Sequence, residues 1–475
     1  MPVDGNKFHK IKMFGDYYYV LTEKRRKEKK KLKKTTVLLL LAVLAFAVIP
    51  MARTTDAPNV ELPMDVMIYR EQFAGDLDES MITGQSLSVV TPFWVDMVDA
   101  EVTDDGEGVY VAVLDTGLLS LWPWFFSEAN IASGLGKGFT HDIWWDAGIE
   151  DFVFGPLRDD RGFLTDDFMG SGHGTHVTST IVGFNYNDLF WVRGVAPKAT
   201  IIPVLVLDYW IVPYPGGDAY FGGGTNEMVA AGINYVAELA DGLDGPVIIS
   251  MSLGGPSPSP MIEDAIDYAI SQGVIVVASA GNEGYAGMGW PGAYPQVISC
   301  GMAGWTEQFV WSSWLDDVPE KLNTPDSWGN NWQIFLDDIS SRPNKDLGQK
   351  SWHLDVTTPG SAIVGPYKSA FADNLGYYYL WGTSMAAPHV SGIAALVLQS
   401  HPLFTQPAME HILKCAAARL PIPSDGSWVF DPWYGVYHFE WFGKDWGRGF
   451  LQADAALHRA NAQAPGRIHQ SIRPK

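Results

Sequence analysis

Disulfide chemistry has almost nothing to work with in this chain, since its 475 residues hold two cysteines, Cys300 and Cys415. Two thiols can form at most one bridge and give no metal-site spacing, which excludes a disulfide-stapled scaffold and a cysteine-based zinc module. Both stand in apolar contexts, "QVISC" and "HILKCAAARL". They read as core thiols, with one disulfide left open. Positive charge is scarce as well: 32 Lys and Arg face 54 Asp and Glu, a net of -22. That balance excludes nucleic acid as a partner. The few cations are also crowded together. Residues 1–52 hold 12 of the basic and 4 of the acidic residues, so the remainder carries 20 against 50, a net of -30. A body this acidic stays soluble and attracts cations, Ca²⁺ included. Long apolar runs are missing too. The longest, Val37–Ile49, is short for a bilayer crossing, and Thr35–Ala52 as a whole only reaches the lower limit. It directly follows the basic Lys24–Lys34, the arrangement that keeps an N-terminus in the cytoplasm. Everything after residue 52 is therefore expected to be exported, either held by residues 35–52 as a membrane anchor or released by their cleavage as a signal sequence.

What is present is a globular composition, 47% hydrophobic and 18% charged. From about residue 84, near-continuous β-branched runs alternate with helical patterns. The runs are Val109–Asp115, Ala199–Leu207, Pro246–Leu253 and Val274–Ala280; Asn226–Ala240 and Pro260–Gly273 are helical. Runs of that kind belong to parallel strands covered on both faces. The expected fold is α/β: three layers, a doubly wound, mostly parallel sheet with helices on both faces, and ligands at the carboxyl ends of the strands. Two stretches, 119–168 and the Trp- and Asp-rich 303–351, read as surface insertions rather than extra domains.

Several polar residues stand at element ends. Asp115, in "VAVLDTG", closes the first strand. "DTG" also occurs in aspartic peptidases, but those need a second such carboxylate and none is present. His173 and His176 open a Gly-rich helix in "SGHGTHV" without the glutamate that a zinc helix would add. Asn282 follows a buried strand in "ASAGNEG", where a turn residue is the plain reading. Ser384, in "GTSMAAPHVSG", precedes an apolar helix and alone would be an N-cap. Together they run Asp, His, Ser along an α/β chain. A lipase-type order fails, because it would place Ser first and need glycine where Ala386 stands.

In that order the chain resembles the subtilisin-like serine peptidases. The stretches "VAVLDTG", "GHGTHV", "RGVAPKA", "SLGG", "AGNEG", "DVTTPG", "GTSMAAPHVSG" and "GRGFLQADAAL" carry the resemblance, over residues 84 to about 460. It implies an Asp115–His173–Ser384 triad, with Ser384 as nucleophile, His173 as general base and acid, and Asp115 orienting the imidazole. Asn282 would donate to the developing oxyanion. The substrate chain would lie between Ser252–Gly255 (Ser252, Leu253 and Gly254 foremost) and Ser279–Gly281 on one side, and Gly222–Gly224 on the other. The glycine run by itself reads as a plain loop. Gly289 would form the floor of the pocket before the cut, with Glu283 the nearby charge. No cofactor is needed for the chemistry. A structural Ca²⁺ is expected near Gly183–Trp191, and protein or peptide substrates follow from the activity. The implied organisation is a basic segment 1–34, an anchor or signal 35–52, a linker or short prosegment 53–83, a peptidase domain 84–465 and a tail 466–475. Residues 53–83 are too few for the folded prodomain usual in the family. Thr358, in "DVTTPG", replaces the family's usual alanine, a change read as minor. Two alternatives stay open: an inactive fold used for binding, and a hydrolase of small esters or amides on the same triad.

Overall fold

The computed structural model describes residues 89–463 apart from 166–171, 310–313, 316, 369–374, 423–425 and 432–434, together with backbone strands at 9–13, 16–20, 66–67 and 72–76. Segments 35–52 and 466–475 lie outside the described residues. Among the described residues no helix is long and apolar enough to cross a membrane.

The central sheet runs, in spatial order, Ile334–Leu336, Ile298–Trp305, Ile275–Ser279, Val247–Met251, Tyr110–Asp115, Thr200–Leu205, Lys137–Asp146 and Asp151–Arg161, with Val356–Pro359 pairing beside Ile298–Trp305. The pairs from Ile298–Trp305 through Lys137–Asp146 are parallel; antiparallel partners occur at the two ends. The alternation of side chains along a strand fills two cores. Val111 and Val113 face the helices His173–Val182 and Thr383–Ser400, while Ala112 and Leu114 face Asn226–Ala240 and Pro260–Ser271. Burial on both sides is why these strands read as unbroken apolar runs.

The sheet order reverses at Tyr110–Asp115, which lies between Thr200–Leu205 and Val247–Met251. Crossovers leave that strand toward opposite sides, and the crevice so formed at its carboxyl end holds Asp115.

The two insertions are built into the fold rather than resting on its surface. Residues 119–168 contribute the hairpin Lys137–Asp146/Asp151–Arg161, which extends the central sheet. Residues 303–351 contribute the strand Ile334–Leu336, and bury Trp305, Trp314 and Phe335 in the main core. A second hairpin, Asp208–Tyr214/Gly217–Thr225, went unrecognised in the sequence. Its aromatic residues Tyr214 and Phe221 pack edge-on against Phe152 of the first hairpin, and Tyr214 lies tilted against Trp145. Glycines and isolated aromatics obscure the two-residue alternation there, which accounts for the miss.

Both cysteines are free. Cys300 is buried, its thiol pushed up to about 12 by desolvation. Cys415 is not a core thiol: it is partly exposed on the helix Gln406–Ala417, with the imidazole of His411 at 3.6 Å.

Asp99, after the short helix Phe93–Met97, sits half-buried with φ +47°. Burial, then the charges of Asp454, Asp96, Glu101 and Glu320, raise its carboxyl to about 7. The folded protein therefore holds this proton more tightly than the unfolded chain. The stability it contributes is full below the ordinary carboxylate range and is lost as pH rises through 7. Asn keeps the shape and tolerates positive φ. Asp99→Asn is expected to raise the melting temperature by a few degrees at pH 8 and to match the parent at pH 4. Thermal unfolding across that range checks both ends.

Candidate active site

Asp115 ends its strand fully buried, and its Oδ1 accepts from the Thr116 N–H at 2.7 Å. The same oxygen lies 2.7 Å from Nδ1 of His173, the first residue of the helix His173–Val182. The approach depends on Gly174, where a Cβ would stand 2.3 Å from the Gly117 carbonyl and 3.2 Å from Asp115 Oδ1. Thr116 Oγ1 accepts the Gly174 N–H at 2.9 Å, fixing strand end to helix start. A carboxylate on Nδ1 sets the imidazole's tautomer and leaves Nε2 for proton transfer. His176, one turn on, is a structural histidine. Its Nε2 meets the Ile363 and Tyr378 carbonyls at 3.1 and 3.2 Å, and desolvation lowers its pKa to about 3.

Ser384 is the second residue of the helix Thr383–Ser400, whose cap is Gly382, so the serine does not cap the helix. Its Oγ donates to the Ser252 carbonyl at 3.2 Å. The hydroxyl thus stands at a helix N-terminus, where negative charge is favoured.

Asn282 is oriented by a residue that sequence reasoning passed over. Thr383 donates to Asn282 Oδ1 twice, from its N–H at 2.9 Å and its hydroxyl at 3.0 Å. The carboxamide oxygen is thereby committed, and Nδ2 lies beside Gly382, 3.3 Å from where a Cβ would be. Gly382, at φ +157°, makes room for it. The sequence offered a signal, the position of Thr383 directly before Ser384, but not the partner.

The insertion 303–351 braces the Asn282 loop. Ser341 N–H meets the Gly281 carbonyl, Gly284 N–H meets Ile339, and Arg342 N–H meets Gly284, each at 2.9 Å. Gln349 holds Met288 through both its N–H and its carbonyl, at 2.8 and 2.7 Å. Arg342 is buried with its guanidinium over the Tyr285 ring. Glu283 turns its carboxylate to the Asn282 N–H at 2.8 Å and to the Ser341 hydroxyl at 3.2 Å, so its charge helps to hold the loop.

Ser252, Leu253 and Gly254 follow the strand Val247–Met251, and Gly255 pairs with Trp290 through both backbone bonds. Gly289 N–H bonds the Ala280 carbonyl at 2.9 Å, and a Cβ on Gly289 would lie 3.7 Å from Gly254 Cα. A Cβ on Gly281 would stand 3.1 Å from Gly289 N. Gly254, Gly281 and Gly289 thus meet at one place. Gly222–Gly224 are not a loop. They end the strand Gly217–Thr225, in which Gly222 is exposed and Gly223 buried. Val66–Met67 pairs antiparallel with Thr225 and Gly224 of this strand. Gln72–Asp76 pairs antiparallel with Leu375–Trp381, which leads directly into Gly382–Ser384.

The Gly183–Trp191 region is a hairpin closed on itself. Asn185 Nδ2 donates to Asp188 Oδ1, Asp188 N–H returns to Asn185 Oδ1, and Asn187 N–H goes to Tyr377 Oη. Ca²⁺ takes about six to eight oxygen ligands, and here Asn185 and Asp188 are bonded to each other. Among the described residues no group of three or more His, Cys, Asp or Glu could hold a metal.

The family model described as the subtilase family matches residues 106–435. The chain is 34% identical over 297 residues to the major intracellular serine protease of Bacillus subtilis (strain 168), covering 62% of this chain and 69% of that protein. It is 32% identical over 316 residues to subtilisin BL of Lederbergia lenta, covering 66% of this chain and 85% of that one. Among solved structures it is similar to sphericase, with a TM-score of 0.53 and 26% identity over 78% of this chain and 99% of that one. By its sequence, its sheet order and these matches, the chain belongs to the subtilase family and is a serine endopeptidase of the subtilisin-like kind.

Proposed function

We propose that this protein cleaves peptide bonds through an acyl-enzyme intermediate on Ser384. The supporting observations are the buried 2.7 Å pair of His173 and Asp115 and the place of Ser384 at the N-terminus of its own helix. His173 Nε2 takes the Ser384 proton as Oγ attacks the carbonyl carbon, and returns it to the leaving amine. Asp115 stabilises the imidazolium formed between these steps. Asn282 Nδ2 donates to the oxyanion. Water then repeats the sequence and releases the acid. A fluorophosphonate probe should label Ser384, and casein should be digested. No labelling would return the reading to an inactive fold, and labelling without digestion would point to a small-substrate hydrolase.

The pocket between Ser252–Gly255 and Ser279–Gly281 has glycine at Gly289, and the carboxylate of Glu283 is engaged with the Asn282 N–H and the Ser341 hydroxyl. Apolar burial contributes about 25 cal/mol per Å², so Phe, Tyr, Leu or Met should be preferred before the cut. The paired strands supply a first substrate. A peptide bound to a protease adds a strand in the way Val66–Met67 adds to Gly224–Thr225 and Gln72–Asp76 to Leu375–Trp381. Residues 53–83 then contain a short prosegment. Within Ile68–Glu71, which joins those strands, the bond after Tyr69 matches the pocket. The mature N-terminus is expected at Arg70, with Ser384→Ala left uncut. Mass spectrometry of both proteins reads this directly; cleavage strictly after Arg or Lys in a peptide library would overturn the pocket reading. Export rests on Lys24–Lys34 preceding Val37–Ile49, and fractionation of cells expressing the full chain tests it.

A further inference from the structure

The helix Thr383–Ser400 carries a proline inside it, Pro388. Proline has no backbone N–H, so the carbonyl four residues earlier loses its helical donor. That carbonyl belongs to Ser384. A buried carbonyl without a partner is costly, and this one has been given a partner from elsewhere in the chain. Ser252 Oγ, fully buried, donates to Ser384 O at 2.6 Å. In return, Ser384 Oγ donates to Ser252 O at 3.2 Å. The two serines thus hold each other reciprocally, hydroxyl to carbonyl.

Other carbonyls of the same turn receive side chains too. Thr358 Oγ1 donates to Ala386 O at 2.8 Å, and Ser391 Oγ reaches Ala387 O at 3.2 Å and Ser250 Oγ at 2.8 Å. Ser250 lies in the strand Val247–Met251, Ser252 follows it, and Thr358 lies in Val356–Pro359. The start of the helix is therefore tied to the sheet by side chains. Thr358, read from sequence as a minor change, makes one of the ties.

An N–H at position 388 would govern the Ser384 carbonyl from within the helix, whatever the sheet does. With proline there, control passes to Ser252, which also walls the substrate channel. We propose that Ser252 is a positioning residue for Ser384. Its hydroxyl replaces the N–H that Pro388 lacks and locks the nucleophile's main chain to the wall against which the substrate lies. This rests on Ser384 being the nucleophile, which the labelled peptide from a fluorophosphonate digest establishes separately.

The test is a double-variant cycle in the full chain, comparing the parent, Ser252→Ala, Pro388→Ala and the double variant. Each is read by kcat and KM on a peptide substrate, by the rate of fluorophosphonate labelling, and by melting temperature. Ser252→Ala should lower kcat and the labelling rate about tenfold, with KM within about twofold. In the double variant, the Pro388→Ala change restores the helical N–H. Its kcat should come within about threefold of Pro388→Ala alone. A role in stability only would lower the melting temperature and leave kcat and labelling unchanged, which overturns the proposal. A double variant as slow as Ser252→Ala also overturns it. If Ser252→Ala does not fold, a folded and active double variant supports the proposal, and an inactive or unfolded one sinks it.

Discussion

Ser384→Ala is expected to reduce kcat about a millionfold and leave the melting temperature close to the parent's. The magnitude is the one found for subtilisin itself, whose triad members act as a unit. The same reasoning makes His173→Ala nearly as damaging, and the double variant no worse than either single one. Without the imidazole the hydroxyl keeps its proton; without the hydroxyl the base has nothing to activate. Asp115→Asn should leave the packing intact, because the site is fully buried and the change keeps its volume. It should still cost about 10⁴ in kcat, since an amide favours the wrong imidazole tautomer. Steady-state kinetics and thermal unfolding of these variants beside the parent check the figures. Losses that simply add in the Ser384/His173 pair would sink the assignment.

Asn282→Ala should lower kcat by about 10²–10³ with KM little changed, the size seen for the corresponding donor in subtilisin. The donor acts on charge that exists only in the transition state, so ground-state binding is spared. The structure adds a second arm to the experiment. Thr383 holds Asn282 Oδ1 through both its N–H and its hydroxyl. Thr383→Val removes the second bond and should cost about tenfold in kcat, one hydrogen bond's worth of orientation. If Thr383 acts through Asn282, the Asn282/Thr383 double variant will be no slower than Asn282→Ala. A change confined to KM would make Asn282 a substrate contact and nothing more.

The layout of the central sheet is written in the chain itself. The alternation of β-branched runs with helical patterns placed the sheet, because strands covered on both faces must be apolar at every position. Asp115, His173, Asn282 and Ser384 stand out in the sequence because each sits at an element end inside a compact motif, where a short stretch carries both the turn and a polar side chain.

Other parts were decided only by contacts between distant segments. The residues 303–351 looked like a surface insertion, and folding turns them into the brace of the Asn282 loop through Ser341 and Arg342. Gly222–Gly224 resembled a loop and became a strand, because register is set by the partner Asp208–Tyr214 rather than by the glycines. The Gly183–Trp191 loop folds as a hairpin in which Asn185 and Asp188 are bonded to each other and Asn187 N–H to Tyr377, partners the sequence does not show. The donor that Pro388 lacks is visible in the sequence, but which group replaces it is not, since Ser252 lies far away along the chain. Local sequence fixes backbone propensity and side-chain chemistry within a few residues. The pairing of a polar group with a distant donor is chosen by packing, and only the folded chain contains that choice.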